Sequence, residues 1–176
     1  MSLTFAPHPS RLLPIAEFTL VTFAPGTSDA PWLRAEHSRL ATQFPDSPRI
    51  LHIGFALDYH LNYEPAFGSF LTVATHADQL LGAAAWTVGP DSIGQECLVV
   101  GEVGATGQVP GVGRALLLFL AAQALSRNIE VSCVADAASR DFYVKLGFIQ
   151  DPPFDVRYVW PRATMLAALS ESFPDL

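Results

Sequence analysis

The sequence predicts an α+β, mixed α/β fold: a mostly antiparallel sheet with one parallel strand pair, flanked by helices. Three observations carry this expectation. The β-rich runs SFLTVAT (69–75) and LLGAAAWTVG (80–89) are joined through HADQ, an antiparallel hairpin signature. Residues 96–134 then run strand, Gly-rich turn, apolar helix, strand, which makes one parallel crossover. Finally, 176 residues that are 50% apolar and only 15% charged suit a single packed domain, 1–176, rather than a disordered chain.

Taken in order, the prolines at 7, 9 and 14 make residues 1–14 a poor helix and a poor central strand, so they are expected as an N-terminal arm. IAEFTLVTF, from Ile15 to Phe23, is a β-rich run. After the break APGT, Ser28 or Asp29 would cap a helix carrying Trp32, Ala35 and Leu40 and stopped by Pro45 and Pro48. Leu51, Ile53, Phe55, Leu57, Tyr59 and Leu61 then alternate with His52, Gly54, Asp58, His60 and Asn62, a period of two that predicts a half-buried strand. NYEPAFG follows as a loop before the hairpin, and residues 96–103 form a further strand.

From Gly111 to Ser126 the chain is apolar nearly all round, interrupted by Arg114 and Gln123, which predicts a helix packed on a sheet. IEVSCV is the next strand and 137–146 a shorter helix. After Pro152 and Pro153, DVRYVW reads as a strand, and Met165, Leu166 and Leu169 give the tail from Ala163 to Phe173 helical spacing.

Composition narrows the function. Ten Lys plus Arg against seventeen Asp plus Glu leave a net charge of −7, which disfavours nucleic acid as a partner and suits a cationic or neutral small substrate. Cys97 and Cys133 lie in apolar runs without CxxC spacing or clustered histidines, so buried reduced thiols are expected and no metal site. The first residues lack an uninterrupted apolar core and no stretch of about 18 apolar residues follows, so a cytoplasmic protein with no membrane partner is expected.

The most informative segment is CLVVGEVGATGQVPGVGRALLLFL, in which a strand delivers a run of glycines into the first turn of an apolar helix. Free amides at a helix N-terminus, with its positive partial charge, suit phosphate, and glycine lets the phosphate approach the backbone. The bland alternative is a tight turn that needs glycine for its backbone angles alone. A Walker A loop is excluded, because position 112 is Val and no lysine follows. A dinucleotide turn of the GATGxxG type, with Asp136 as ribose ligand, would make an NAD(P)-binding Rossmann-like protein. Against it, the third glycine falls on Pro110 and fewer than eighty residues remain for the rest of a doubly wound sheet.

Gln108-Val109-Pro110-Gly111-Val112-Gly113 resembles the Q/R-x-x-G-x-G/A signature of the GNAT superfamily of N-acetyltransferases, with Val103 five residues before it. Asp136-Ala-Ala-Ser139-Arg-Asp-Phe142-Tyr143-Val-Lys-Leu-Gly147-Phe148 is similar to the second motif of that family, N-x-x-A-x-x-F-Y-x-x-x-G-F. The resemblance covers residues 96–150, and residues 1–65 match nothing comparable.

The resemblance implies a GNAT-like fold and acetyl-CoA held in a V-shaped opening between strands ending near Val103 and Val134. Backbone near Val103 and Ala105 would pair with the pantetheine arm. The amides of Val109, Gly111, Val112, Gly113 and Arg114 would hold the pyrophosphate, with Gln108 opening the loop and Pro110 having no N–H to give. Asp136 and Ser139 stand where the family has Asn and Ala, at the cofactor arm; Asp136 also suits an N-cap. Tyr143 matches the tyrosine that protonates the departing thiolate. The expected activity is acetyl transfer from acetyl-CoA to a primary amine, small molecule or peptide, by direct attack through a tetrahedral intermediate; the alternative on the same scaffold is a non-catalytic acyl-CoA binder or sensor.

A base must free the amine, and Glu102, flanked by Gly101 and Gly104, is the candidate by position. Strand alternation puts Glu102 and Val103 on opposite faces unless the strand bulges. His52, His60 and His76 are alternatives for a substrate groove, each read as a surface histidine. Trp32, Phe55, Tyr59, Tyr63 and Phe67 supply aromatic surface for core or groove, with core favoured for Phe55 and Tyr59. Exposed strands towards the C-terminal end would suit a homodimer.

Overall fold

The computed structural model describes residues 18–25, 30–90, 93–152 and 154–173. The expected arm at 1–14 and the caps at Ser28 and Asp29 lie outside the described residues. Seven strands form one sheet: β1 (Thr19–Phe23), β2 (Phe70–His76), β3 (Gln79–Pro90), β4 (Glu96–Ala105), β5 (Glu130–Val134), β6 (Ile149–Gln150) and β7 (Arg157–Trp160), in the order β1-β2-β3-β4-β5-β7-β6. Strand β4 pairs with β5 in parallel, Cys97 opposite Glu130 through Val100 opposite Cys133, which is the predicted crossover. Pairs β1–β2, β2–β3, β5–β7 and β6–β7 are antiparallel. The helices are α1 (Ala30–Gln43), α2 (Pro48–Phe67), α3 (Val112–Ser126), α4 (Arg140–Lys145) and α5 (Arg162–Ser172). None of the described helices is long and apolar enough to cross a membrane.

The chain divides into two compact units, Met1–Thr87 with Gly101–Leu116, and Val88–Val100 with Leu117–Leu176. In the first, β1, β2 and β3 form a meander. Its hairpin turns at Ala77 and Asp78, both with positive φ (47° and 61°), as a two-residue turn matching the strand twist requires. Thr72 accepts the Trp86 indole N–H at 3.0 Å and lies 3.0 Å from the Thr22 hydroxyl, so the buried polar atoms of three neighbouring strands satisfy one another. Leu33, Leu40, Ile50, Ile53, Leu57, Leu71, Val73 and Leu80 make the core between α1, α2 and the strands. Glu36 ties α1 to the start of β3: its Oε2 accepts the Leu80 N–H at 2.9 Å and the Arg39 guanidinium at 2.9 Å.

The main correction concerns residues 51–61, which form part of helix α2 and not a strand. Ile50, Ile53, Leu57 and His60 are all buried, a 3-4-3 spacing that puts one face of a helix inward. The residues of the apparent alternation split between faces, with Leu51 55% and Phe55 44% exposed. Pro48 opens α2 as its first residue, where a missing N–H costs nothing, instead of ending α1. Residues 62–67 of the expected loop are the end of the same helix, followed by Gly68 at φ 60°. His60 is fully buried, with Nδ1 2.9 Å from the Ser69 carbonyl, and is not a surface histidine. Side chains of Tyr63 and Phe67 lie outside the described residues.

In the second unit, α4 ends at Gly147, whose φ of 100° follows the short helix, and the Phe148 N–H returns to the Tyr143 carbonyl at 3.2 Å. Phe148 then packs on Trp160 of β7 with ring centroids 4.8 Å apart, and both are buried. Arg157, 3% exposed, pairs with Asp151. Helix α5 follows β7 directly and buries Met165 and Ala168.

Candidate active site

Helix α2 lies on β4 and the loop after it, and glycines are what let it do so. A β-carbon on Gly104 would sit 2.5 Å from the Ile53 nitrogen and 2.8 Å from the His52 carbonyl carbon. One on Gly101 would meet the Tyr59 ring at 3.2 Å. Further along, the Arg49 guanidinium rests over Gly107, whose φ is 80°. Thus residues 49, 52, 53 and 59, on successive turns of one helix, cover Gly107, Gly104 and Gly101 in turn.

Glu102 stands between the two covered glycines of β4. Its Oε2 lies 3.3 Å from His52 Nδ1, with the side chains 34% and 45% exposed respectively. The His52 ring meets Phe55 edge to face, centroids 6.2 Å apart. Glu102 and Gly104, two positions apart on β4, both meet the His52–Ile53 turn of α2, and Gly101 meets Tyr59 of the same helix.

The loop from Thr106 to Gly111 leads into α3. The Thr106 N–H donates to the Leu81 carbonyl at 2.8 Å, anchoring the loop start to β3. The Gln108 N–H donates to the Thr106 hydroxyl at 3.2 Å. Gly111 has φ 86° and is exposed, and the first backbone bond of α3 runs from Ala115 N–H to Gly111 carbonyl at 2.9 Å. The Val112 and Gly113 amides precede that bond and have no partner within the helix. Val112 itself is 1% exposed and its side chain packs on Gly82, so only its backbone could reach a ligand. Val103, Ala105, Val109 and Arg114 are half-buried, and Gln108 is exposed.

In the second unit, Asp136 and Ser139 hold each other. Asp136 Oδ1 accepts the Ser139 N–H at 2.8 Å and its hydroxyl at 2.6 Å, closing the turn 137–139; α4 starts only at Arg140 with Ser139 at its N-cap position, so Asp136 is not the helix N-cap that its side chain suggests. Tyr143 is 6% exposed, its ring edge-to-face with Phe142 and Phe148 at 5.3 and 5.2 Å. Both cysteines are buried free thiols, and burial pushes the Cys133 thiol up to about 12. Among the described residues no group of three or more His, Cys, Asp or Glu could hold a metal ion.

No family model matches the chain, and no curated protein matches it. Solved structures do. An acetyltransferase from Trypanosoma brucei is 20% identical with a TM-score of 0.52, over 77% of this chain and 96% of that one. An acyl-CoA N-acyltransferase from Pseudomonas aeruginosa is 18% identical with a TM-score of 0.52, over 80% and 95%. The catalytic domain of a Tetrahymena histone acetyltransferase, in complex with coenzyme A, is 15% identical with a TM-score of 0.51, over 81% and 92%. The chain has the GNAT fold.

Within the GNAT fold, Glu102, Val103, Ala105 and the loop from Gln108 to Arg114 all belong to the first unit. The sequence reading missed how α2 contributes to that same unit. His52 is a neighbour of Glu102 rather than an isolated surface residue, and Tyr59 is half-buried, packed against the first core and over Gly101. The signal that could have found this is the spacing of Gly101, Gly104 and Gly107, which leaves a smooth track for a helix. His76 is exposed beside the hairpin turn, and Trp32 packs at the margin of the first core.

Proposed function

We propose that the protein is an acyltransferase that moves the acetyl group of acetyl-CoA to a primary amine by direct attack. The observation that carries this reading is the Gly-rich loop feeding the N-terminus of α3 within a GNAT fold. The fit to a pyrophosphate is physical: Gly111 is exposed without a β-carbon, and Val112 and Gly113 present amides at the positive end of a 15-residue helix. In this reading Gln108, Val109 and Arg114 complete the pyrophosphate loop, and Val103 and Ala105 offer backbone to the pantetheine arm. Asp136 and Ser139 contribute through the turn they stabilise, since their side chains are bonded to each other. Tyr143 is proposed as the acid that protonates the departing sulfur.

Titration calorimetry with acetyl-CoA, with NAD and NADPH in parallel, tests the cofactor. Micromolar acetyl-CoA binding is expected, weakened at least about tenfold by Gly113→Glu, which adds a negative charge at the helix N-terminus. Nicotinamide binding instead would overturn the reading. A screen of amines for release of free thiol then tests the transfer: amine-dependent release supports an enzyme, and stoichiometric binding without turnover marks a binder.

A further inference from the structure

We infer that His52 is the group that takes the proton from the acceptor amine, and that Glu102 acts through it as a positioning residue. The inference rests on the acetyltransferase reading and assigns the base within it. Three observations on α2 and β4 support it. His52 presents Nδ1 to the Glu102 carboxylate at 3.3 Å, so the Nδ1–H donates and the lone pair of neutral imidazole is left on Nε2. Among the described residues Nε2 has no hydrogen-bond partner, and the His52 side chain is the more open of the two, at 45% exposed against 34% for Glu102. The ring meets Phe55 edge to face and the Glu102 carboxylate at Nδ1, and the backbone that carries it is seated on Gly104.

A histidine aligned by a carboxylate on one nitrogen and open on the other is the arrangement that acyl-transfer sites on unrelated folds use to take a proton. Imidazole is also the side chain whose ordinary proton affinity lies nearest neutral pH, where a base is most effective. The proton balance is complete. Nε2 takes one proton from the ammonium, and the freed lone pair forms the C–N bond at the thioester carbonyl. The C–S bond breaks, the sulfur leaves as thiolate and takes the Tyr143 proton, which solvent restores, while the amide nitrogen loses its second proton to solvent and His52 returns its own to solvent. The titratable group in contact with His52 is Glu102 from β4; on its own helix Arg49 stands over Gly107 and Tyr59 over Gly101, and His37 of α1 stands over Gly54.

The test compares the pH dependence of kcat/KM, with the best amine from the screen, for wild type, His52→Gln and Glu102→Gln. His52→Gln is expected to lower kcat by about 10²- to 10⁴-fold and to abolish the acid limb. Glu102→Gln should cost less and keep the limb, because His52 is still present to take the proton. Unchanged acetyl-CoA binding by both variants shows that they fold. Nitrogen NMR supplies a readout apart from turnover: neutral His52 should carry its proton on Nδ1 in wild type and lose that preference in Glu102→Ala. Loss of the limb in Glu102→Gln with its retention in His52→Gln would overturn the assignment and make Glu102 the base. Retention of rate and limb in both would remove the pair from the chemistry. If wild-type protein binds acetyl-CoA yet no amine elicits thiol release, the acetyltransferase reading itself falls, and the assignment with it.

Discussion

Gly104 of β4 and Ile53 of α2 approach so closely that a β-carbon on the glycine would stand 2.5 Å from the Ile53 backbone nitrogen. No side-chain rotation can relieve such a contact, because the obstruction is backbone. Gly104→Ala is therefore expected to destabilise the protein by about 1–3 kcal/mol and to displace His52 from Glu102. Urea unfolding measures the first effect. The second would appear as loss of the preferred His52 tautomer, and a variant of wild-type stability would refute the packing.

The two faces of α2 should respond differently to truncation. Leu57, 3% exposed in the core, is expected to cost about 2–5 kcal/mol on replacement by alanine. Phe55, 44% exposed, should cost no more than about 0.5 kcal/mol. A strand at 51–61 would place both residues on the same face and give them similar costs, so the ratio of the two unfolding energies distinguishes helix from strand.

Glu36 makes folding depend on pH in acid. The hydrogen-bonded Arg39 guanidinium holds its carboxyl below the usual carboxylate range; partial burial opposes this, and the Leu80 amide reinforces it. A depressed folded value means that the stabilisation is complete above the ordinary value of 4.5 and is lost as pH falls through the folded value. Glu36→Gln should cost about 1.5–3 kcal/mol at pH 7. The gap between wild type and variant should shrink when the same unfolding curves are recorded near pH 3.

Cys133 is a thiol that folding silences. Burial pushes it from 9.0 up to about 12, so at pH 8 almost no thiolate exists in the native state. Iodoacetamide should label it only after denaturation, as mass spectrometry of native and urea-treated protein will show; rapid labelling of native protein would contradict the burial. The raised value also has a sign for stability: nothing is lost below pH 9.0, and stability declines as pH rises from there towards about 12.

Much of the fold was written in local patterns. The hairpin of β2 and β3, the parallel crossover through α3, the turn capped by Asp136 and the final helix each depend on residues within a few positions of one another. Period-two runs, glycines at turns and a carboxylate three residues before a free amide are all readable along the chain. The Gly-rich loop was readable for the same reason, because a phosphate site at a helix N-terminus is made of consecutive backbone amides.

What the sequence alone determined about this protein is therefore the strand and helix order from Phe70 onward, except for the two-residue β6, and the loop proposed to bind the cofactor. The tertiary structure decided the rest. Residues 50–61 carry both a period of two and a 3-4-3 spacing, and the helix prevails because Gly101 and Gly104 leave room for its backbone on β4 while Ile50, Ile53 and Leu57 find a core beneath it. The pairing of His52 with Glu102 spans fifty residues, and no local pattern announces it. It exists because a helix crosses a strand where glycine permits, and such a crossing is a property of packed surfaces, not of neighbours in the chain.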